Sequence, residues 1–195
     1  MWDARYASED YVYGKEPNDF LAGQADRLPR GRALCLAEGE GRNAVFLAGR
    51  GYQVLAVDAS ARGLAKAEQL AQERGVAIDT RVADLAAYPI APGHWDLIVS
   101  IFCHLPPPVR RHVHRAAVAG LRPGGAFLLE AYTPRQLEFG TGGPPARELL
   151  MNLASLREEL KGLHFVHAVE TERDVVEGHL HTGRGAVVQV LALKN

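Results

Sequence analysis

Gly39, Gly41 and Ala44 have the spacing G-x-G-x-x-A, and Asp58 stands 58 − 41 = 17 residues after the second glycine. Glycines at that spacing let a ligand approach the backbone, and an acid at about that distance accepts from ribose hydroxyls. The two flanking acids, Glu38 and Glu40, decide which nucleotide fits. A pyrophosphate drawn to helix N-terminal amides would be repelled by two carboxylates. S-adenosylmethionine has no phosphate and carries an ammonium and a sulfonium, so the same acids favour it over NAD. Asp58, with Ala59 beside it, is expected at the ribose, and Asp84 with the Leu85 backbone at adenine. The ordinary alternative for Asp58 and Asp84 is a charge that stabilises a helix N-terminus. Glu40 is expected to be structural, or to tune the local charge.

Methyl transfer from a sulfonium needs an in-line nucleophile held close, with water excluded. His104 is the candidate catalytic residue, because His titrates near neutral pH and this one follows a strand on the cofactor side. Cys103 beside it suits a small buried hydrophobe but stays on the acceptor-side list with Tyr132. His181 and Arg184 lie in a glycine-rich turn and suit an anionic acceptor. His179-x-His181 alone does not make a metal site, and none is expected. Trp2, Tyr6, Tyr11 and Tyr13 crowd into the first thirteen residues. They are expected to form a lid over cofactor and acceptor, with the 133–145 loop as the opposing wall.

These residues need a scaffold that gathers them. Arg32–Ala37, Tyr52–Val57, Ala77–Ala83, Trp95–Phe102 and Ala126–Ala131 read as buried strands by their apolar and β-branched runs. Between them lie helices at Arg42–Gly49, after Ser60 as N-cap with Leu64, Ala67 and Ala71 at i, i+3, i+7 and Gly75 as stop, and from Pro106 to Gly120. Leu121–Gly125 reads as a tight turn and Ala146–Lys161 as a helix. His164–Val176 and Ala186–Leu193 lie too close for a crossover helix, so they form a hairpin about Gly178–Gly185. The pattern predicts an α/β, doubly wound, seven-stranded, mostly parallel sheet with a C-terminal antiparallel hairpin. Residues 1–30 precede it as a cap, with a helix over Asp19–Leu28; residues 31–195 form the cofactor-binding sheet, all one domain. Ligands of such sheets lie beyond the carboxyl ends of the strands, where all the acids above fall.

The chain has 195 residues, 47% of them hydrophobic, which suffices for a full core. Lys plus Arg is 22 against 23 for Asp plus Glu, so no general positive field exists for nucleic acid. The basic run 110–115 reads as a solvated helix face. The first ten residues are charged and lack the apolar core of a signal peptide. No apolar run approaches a membrane span. With two cysteines, Cys35 and Cys103, a reducing cytoplasm is the expected location.

The segments CLAEGEGRNAVFLA, VDAS and LRPGGAFLLE, together with Asp84, resemble class I S-adenosylmethionine-dependent methyltransferases. The opening WDARYASEDYVYGKEPNDFL and SIFCHLP resemble a narrower group, small bacterial enzymes related to the tellurite-resistance and thiopurine methyltransferases. The resemblance spans nearly the whole chain. It implies that the amino-acid part of the cofactor meets the Gly39–Gly41 loop, with Glu38, Glu40 and Asn43 among the cofactor-binding residues, and that Ile101 and Phe102 lie below the methyl. The family pattern has Asp at its first acid, where this chain has Glu38. A sulfur, selenium or tellurium acceptor is implied by the resemblance alone. The expected activity is methylation of a small molecule by a monomer or weak homodimer, without nucleic acid or membrane partners. The rivals are an NAD-binding oxidoreductase and a non-enzymatic S-adenosylmethionine-binding protein.

Overall fold

The computed structural model describes residues 2–178 and 181–195, with the backbone alone described at His181. The strands are β1 (Arg32–Leu36), β2 (Gln53–Asp58), β3 (Asp79–Val82), β4 (Trp95–Ile101), β5 (Leu121–Tyr132), β6 (Leu163–Glu177) and β7 (His181–Lys194). They form one seven-stranded sheet in the order β3-β2-β1-β4-β5-β7-β6. The first five strands pair in parallel, and β7 runs antiparallel to both β5 and β6. The predicted architecture is therefore the observed one. Its geometric result is that β1, β2, β4, β5 and β6 all end on the same edge.

Six α-helices are described: α1 (Trp2–Arg5), α2 (Asp19–Gln24), α3 (Arg42–Gly49), α4 (Ala61–Glu73), α5 (Pro107–Gly120) and α6 (Leu153–Glu159). Successive strand residues point to opposite faces, so each central strand feeds two cores. Leu34, Ile98, Phe127 and Leu129 pack with Val113 and Ala117 of α5 and Leu156 of α6. Ala33, Cys35, Leu97, Val99 and Leu128 pack with Leu21 of α2 and Ala44 and Leu47 of α3. Ser60 caps α4 as expected, its side chain accepting from Gly63 N at 3.0 Å.

Four local expectations change. Leu121–Gly125 belongs to β5 rather than to a separate turn. Leu121 pairs with Trp95 and Ala126 with Leu97, so the extra residues bulge out without ending the strand. The 146–161 helix is broken into a 3-10 turn, Arg147–Leu149, and α6. Met151 N donates to Tyr132 O at 3.0 Å, which holds the chain extended there, and Asn152 then caps α6 by accepting from Ser155 N at 2.8 Å. The Asp19–Leu28 helix narrows to α2 plus a 3-10 turn, Ala25–Arg27, because Leu28 precedes Pro29 and is extended. Thr182–Gly185, expected in the closing turn, instead pair with Val176–Arg173 in the ladder.

Among the described residues, two that are not glycine have left-handed backbones, Ala37 (φ 50°) and Phe102 (φ 50°). They follow the ends of adjacent strands β1 and β4, where such strain marks ligand-facing turns. No helix among the described residues is long and apolar enough to cross a membrane.

Candidate active site

The glycine loop is built from its acids. Glu38 Oε1 accepts from Asn43 N at 2.9 Å and Ala44 N at 2.8 Å, so this carboxylate caps the first turn of α3. Burial pushes its pKa up to about 7, against the opposing pull of those two amides and of Arg42. Gly39 N and Ser60 N donate to the two oxygens of Asp58, at 2.9 and 2.8 Å. Asp58 is thereby held at the end of β2 against the loop, and burial raises its pKa too. Gly41 (φ 90°) is obligatory here: a Cβ would stand 2.4 Å from the Ala67 Cβ of α4.

Glu40 turns the other way. Its oxygens take Lys66 Nζ at 2.5 Å and Tyr13 N at 3.3 Å, so it ties the N-terminal segment to the loop and to α4. The aromatics of that segment pack as one unit. Trp2 stacks on Tyr6 at 5.9 Å, Tyr6 meets Tyr13 edge-on at 6.3 Å, and Tyr11 donates its hydroxyl to Lys66 O at 2.9 Å. Tyr6 lies against Gly39 and Gly63, near enough that a Cβ on Gly39 would stand 2.6 Å from its hydroxyl. Asp3 accepts from Ser60 Oγ at 2.5 Å. The early aromatics thus cover the Asp58 corner directly. Gly178, at the end of β6, packs on Val12, Tyr13 and Gly14 of the same segment.

At the ends of β4 and β5, Phe102 stacks on Tyr132 with centroids 4.6 Å apart, and His104 lies parallel to Tyr132 at 5.9 Å and 10°. Leu150 and Val187 back this stack. His104 Nδ1 lies 3.0 Å from Leu149 O, and its Nε2 is 3.4 Å from Tyr132 N. The geometry fixes the tautomer: Nδ1 donates and Nε2 accepts. Burial lowers its pKa to about 4, so the ring is neutral. In this arrangement the ring links Tyr132 N to Leu149 O. Cys103 sits in the core, where burial pushes its thiol up to about 12.

The other expected residues fall as follows. Ile101 is buried and Ala59 exposed at their strand ends. Leu85 is in the core, while exposed Asp84 accepts from Ala86 N at 2.9 Å and shapes the turn after β3. Asn43 Oδ1 accepts from Asn18 N at 2.9 Å, binding α3 to the cap segment. Arg184 is half exposed and lies 3.5 Å from Glu172, in a surface groove of about 360 Å³ that also includes Thr133 and Arg135. No described contact brings it to the Phe102–Tyr132 stack. His179, and the side chain of His181, lie outside the described residues. Of the basic run, Arg111, His112 and Arg115 face solvent, but Arg110 and His114 are buried on Glu159 at 2.9 and 2.7 Å.

Sequence reasoning missed a buried charge network beside the stack. Arg173 Nη2 lies 2.5 Å from Glu130 and 3.0 Å from Glu177; Arg42 Nη2 and Asn18 Nδ2 reach Glu177 at 2.5 and 2.8 Å. Gln189 donates to the second oxygen of Glu130 at 2.9 Å. Burial works to raise Glu177, but the two guanidiniums outweigh it and hold its pKa below the usual value. One signal was readable: Arg173 and Glu177 are four apart in a strand, hence on one face, and both carry charge.

The loop suits a nucleoside without phosphate. The α3 amides that would meet a phosphate are occupied by Glu38. Each Asp58 oxygen takes one backbone N–H, leaving a lone pair for a ribose hydroxyl. Among the described residues no group of three His, Cys, Asp or Glu could hold a metal ion.

Residues 33–125 match a family described as a methyltransferase domain. No curated protein matches the sequence. Many solved structures share the fold, among them the following three. One, titled for conversion of a disulfide bond into a thioacetal group during echinomycin biosynthesis, is 20% identical with TM-score 0.79, covering 100% of this chain and 90% of that one. TehB from Haemophilus influenzae is 19% identical with TM-score 0.76, covering 100% of this chain and 66% of that one. The N-methyltransferase NodS from Bradyrhizobium japonicum is 15% identical with TM-score 0.69, covering 90% and 92%. At these identities the likeness is one of fold.

Proposed function

We propose that this chain, a class I S-adenosylmethionine-dependent methyltransferase, methylates a small, soft nucleophile, with a sulfur, selenium or tellurium centre as the acceptor class. Bound here, S-adenosylmethionine supplies an electrophilic methyl group on a sulfonium. The observation that carries the reading is Asp58, fixed by Gly39 N and Ser60 N at the end of β2 while Glu38 occupies the α3 amides.

Each residue then has a task. Asp58 accepts from the ribose hydroxyls, and the 84–85 turn borders adenine. Ile101 and Phe102 floor the reacting end, with Tyr132 stacked behind Phe102. Tyr6, Tyr13 and Trp2 exclude water, which strengthens the charge interactions beneath them. His104 positions Tyr132 and leaves the acceptor's proton alone. An acceptor that is already anionic needs no strong base, and chalcogen anions meet that condition. The family resemblance points the same way, and the echinomycin-pathway neighbour is itself described by chemistry at a disulfide. We read residues 1–195 as one domain whose first thirty residues cap it, a monomer or weak homodimer working in the cytoplasm.

The test is calorimetric binding of S-adenosylhomocysteine, followed by a methyl-transfer panel of thiolates, selenide, tellurite-derived anions and amines. Methylation of a chalcogen anion above all amines is expected. Binding without any methylated acceptor would make the chain a binding protein, and NAD binding without S-adenosylhomocysteine binding would overturn the reading.

A further inference from the structure

Arg42 opens α3 directly after the glycine loop, and its side chain turns inward to 7% exposure. Nη2 rests on Glu177, but Nη1 is buried with no hydrogen-bond partner among the described residues. Glu177 reaches only Nη2 of the guanidinium. One of its oxygens holds Arg42 Nη2, and the other already accepts from Asn18 and Arg173. Glu38, the nearest other acid on the loop, has its Oε1 committed to two amides and is held up to about 7 by burial. A buried guanidinium nitrogen without an acceptor is disfavoured, and its planar fork suits a carboxylate-like oxyanion.

We propose that Arg42 Nη1 receives an oxyanion of a molecule bound at the strand ends, making Arg42 the anion-binding residue of the site. The Asn43 and Ala44 amides are held by Glu38 and the Gly39 amide by Asp58, so none of these serves this purpose. Arg42 does so from the side, beside the Glu177–Arg173–Glu130 network and the Tyr132 phenol. Two molecules can bring the oxyanion: the cofactor, through its α-carboxylate, or an anionic acceptor. The inference rests on the methyltransferase reading above and adds what that reading lacks, a positive group facing the ligand.

The experiment titrates wild type and Arg42→Met with S-adenosylhomocysteine and with 5′-methylthioadenosine, which lacks the amino-acid arm. A ten-fold or greater loss for S-adenosylhomocysteine, with methylthioadenosine unchanged, supports the proposal and assigns the oxyanion to the cofactor. If S-adenosylhomocysteine affinity holds, selenite is titrated onto the saturated proteins. Binding by wild type and not by Arg42→Met supports the proposal and assigns the oxyanion to the acceptor. Equal behaviour of the two proteins toward all three probes overturns it. Methylthioadenosine binding doubles as the folding control. Should Arg42→Met not fold, Arg42→Lys, which keeps the charge and loses the fork, is expected to lose at least three-fold for one of the two anionic probes, and no loss overturns the proposal. A wild type that binds neither nucleoside overturns the methyltransferase reading itself, a result separate from any difference between variants.

Discussion

Gly178 sits so close to Tyr13 that a Cβ on it would stand 2.6 Å from the Tyr13 Cα, and 2.2 Å from Val12 O. Gly178 thus presses on the N-terminal segment that packs against the glycine loop through Tyr6 and Glu40. Gly178 also has φ 68°, a left-handed backbone that costs an alanine about 1–2 kcal/mol. Gly178→Ala should therefore lift the segment. We expect the KM for S-adenosylmethionine to rise ten-fold or more, with a melting temperature only about 2–8 °C lower. An unchanged KM would refute the closure.

Asp58→Ala removes the carboxylate that Gly39 N and Ser60 N hold in place. Hydrogen bonds to a charged group are worth about 1.5–3 kcal/mol. S-adenosylhomocysteine should bind at least ten-fold more weakly by calorimetry, and unchanged affinity would end the ribose assignment.

His104 is neutral, its pKa lowered by burial to about 4. The pH–rate profile should then show no His104 limb between pH 6 and 7. His104→Asn should lower turnover by loosening Tyr132, with cofactor affinity kept. A wild-type limb near pH 6.5 that the variant lacks would restore His104 as a base.

Glu38 has its folded pKa raised from 4.5 to about 7. Protonation therefore favours the folded state, and this contribution is full below about pH 4.5 and lost as pH climbs through about 7. Glu38→Gln keeps an acceptor for Asn43 N and Ala44 N but cannot ionise. Urea titrations from pH 5 to 8 should show the wild type losing on the order of 1–3 kcal/mol and the variant losing less. Parallel slopes would rule Glu38 out as the cause.

Glu159 is the opposite case. Burial works to raise it, yet His114 and Arg110 bring it down to about 2. Its contribution is full above about pH 4.5 and lost as pH falls toward 2. Glu159→Gln leaves Arg110 buried without its counter-charge and should destabilise by about 3 kcal/mol. A denaturant midpoint unchanged from wild type would contradict this.

Legibility followed physical range. Strand alternation and local caps are short-range signals, so the sheet, its antiparallel end and the Ser60 cap could be read from the sequence. Asp58 was readable because its spacing from the loop is fixed by one helix. The Arg42–Glu177 pair was not, since its partners are 135 residues apart and meet only through the whole sheet. The 146–161 helix misled for a similar reason: a single bond from Met151 N to Tyr132 O overrides the local preference.

The position of β7 has a consequence for how the molecule assembles. It is the last strand in the chain but lies between β5 and β6 in the sheet. During synthesis β5 therefore waits as an open edge, and β6 has no neighbour to settle on, until the final strand emerges. Such distant pairing is slow to form and leaves strand edges exposed meanwhile. The glycine loop, built on β1 and β2, can order early, whereas the Glu130–Arg173–Glu177 network forms last. A nascent chain thus lacks that network until β7 has joined the sheet.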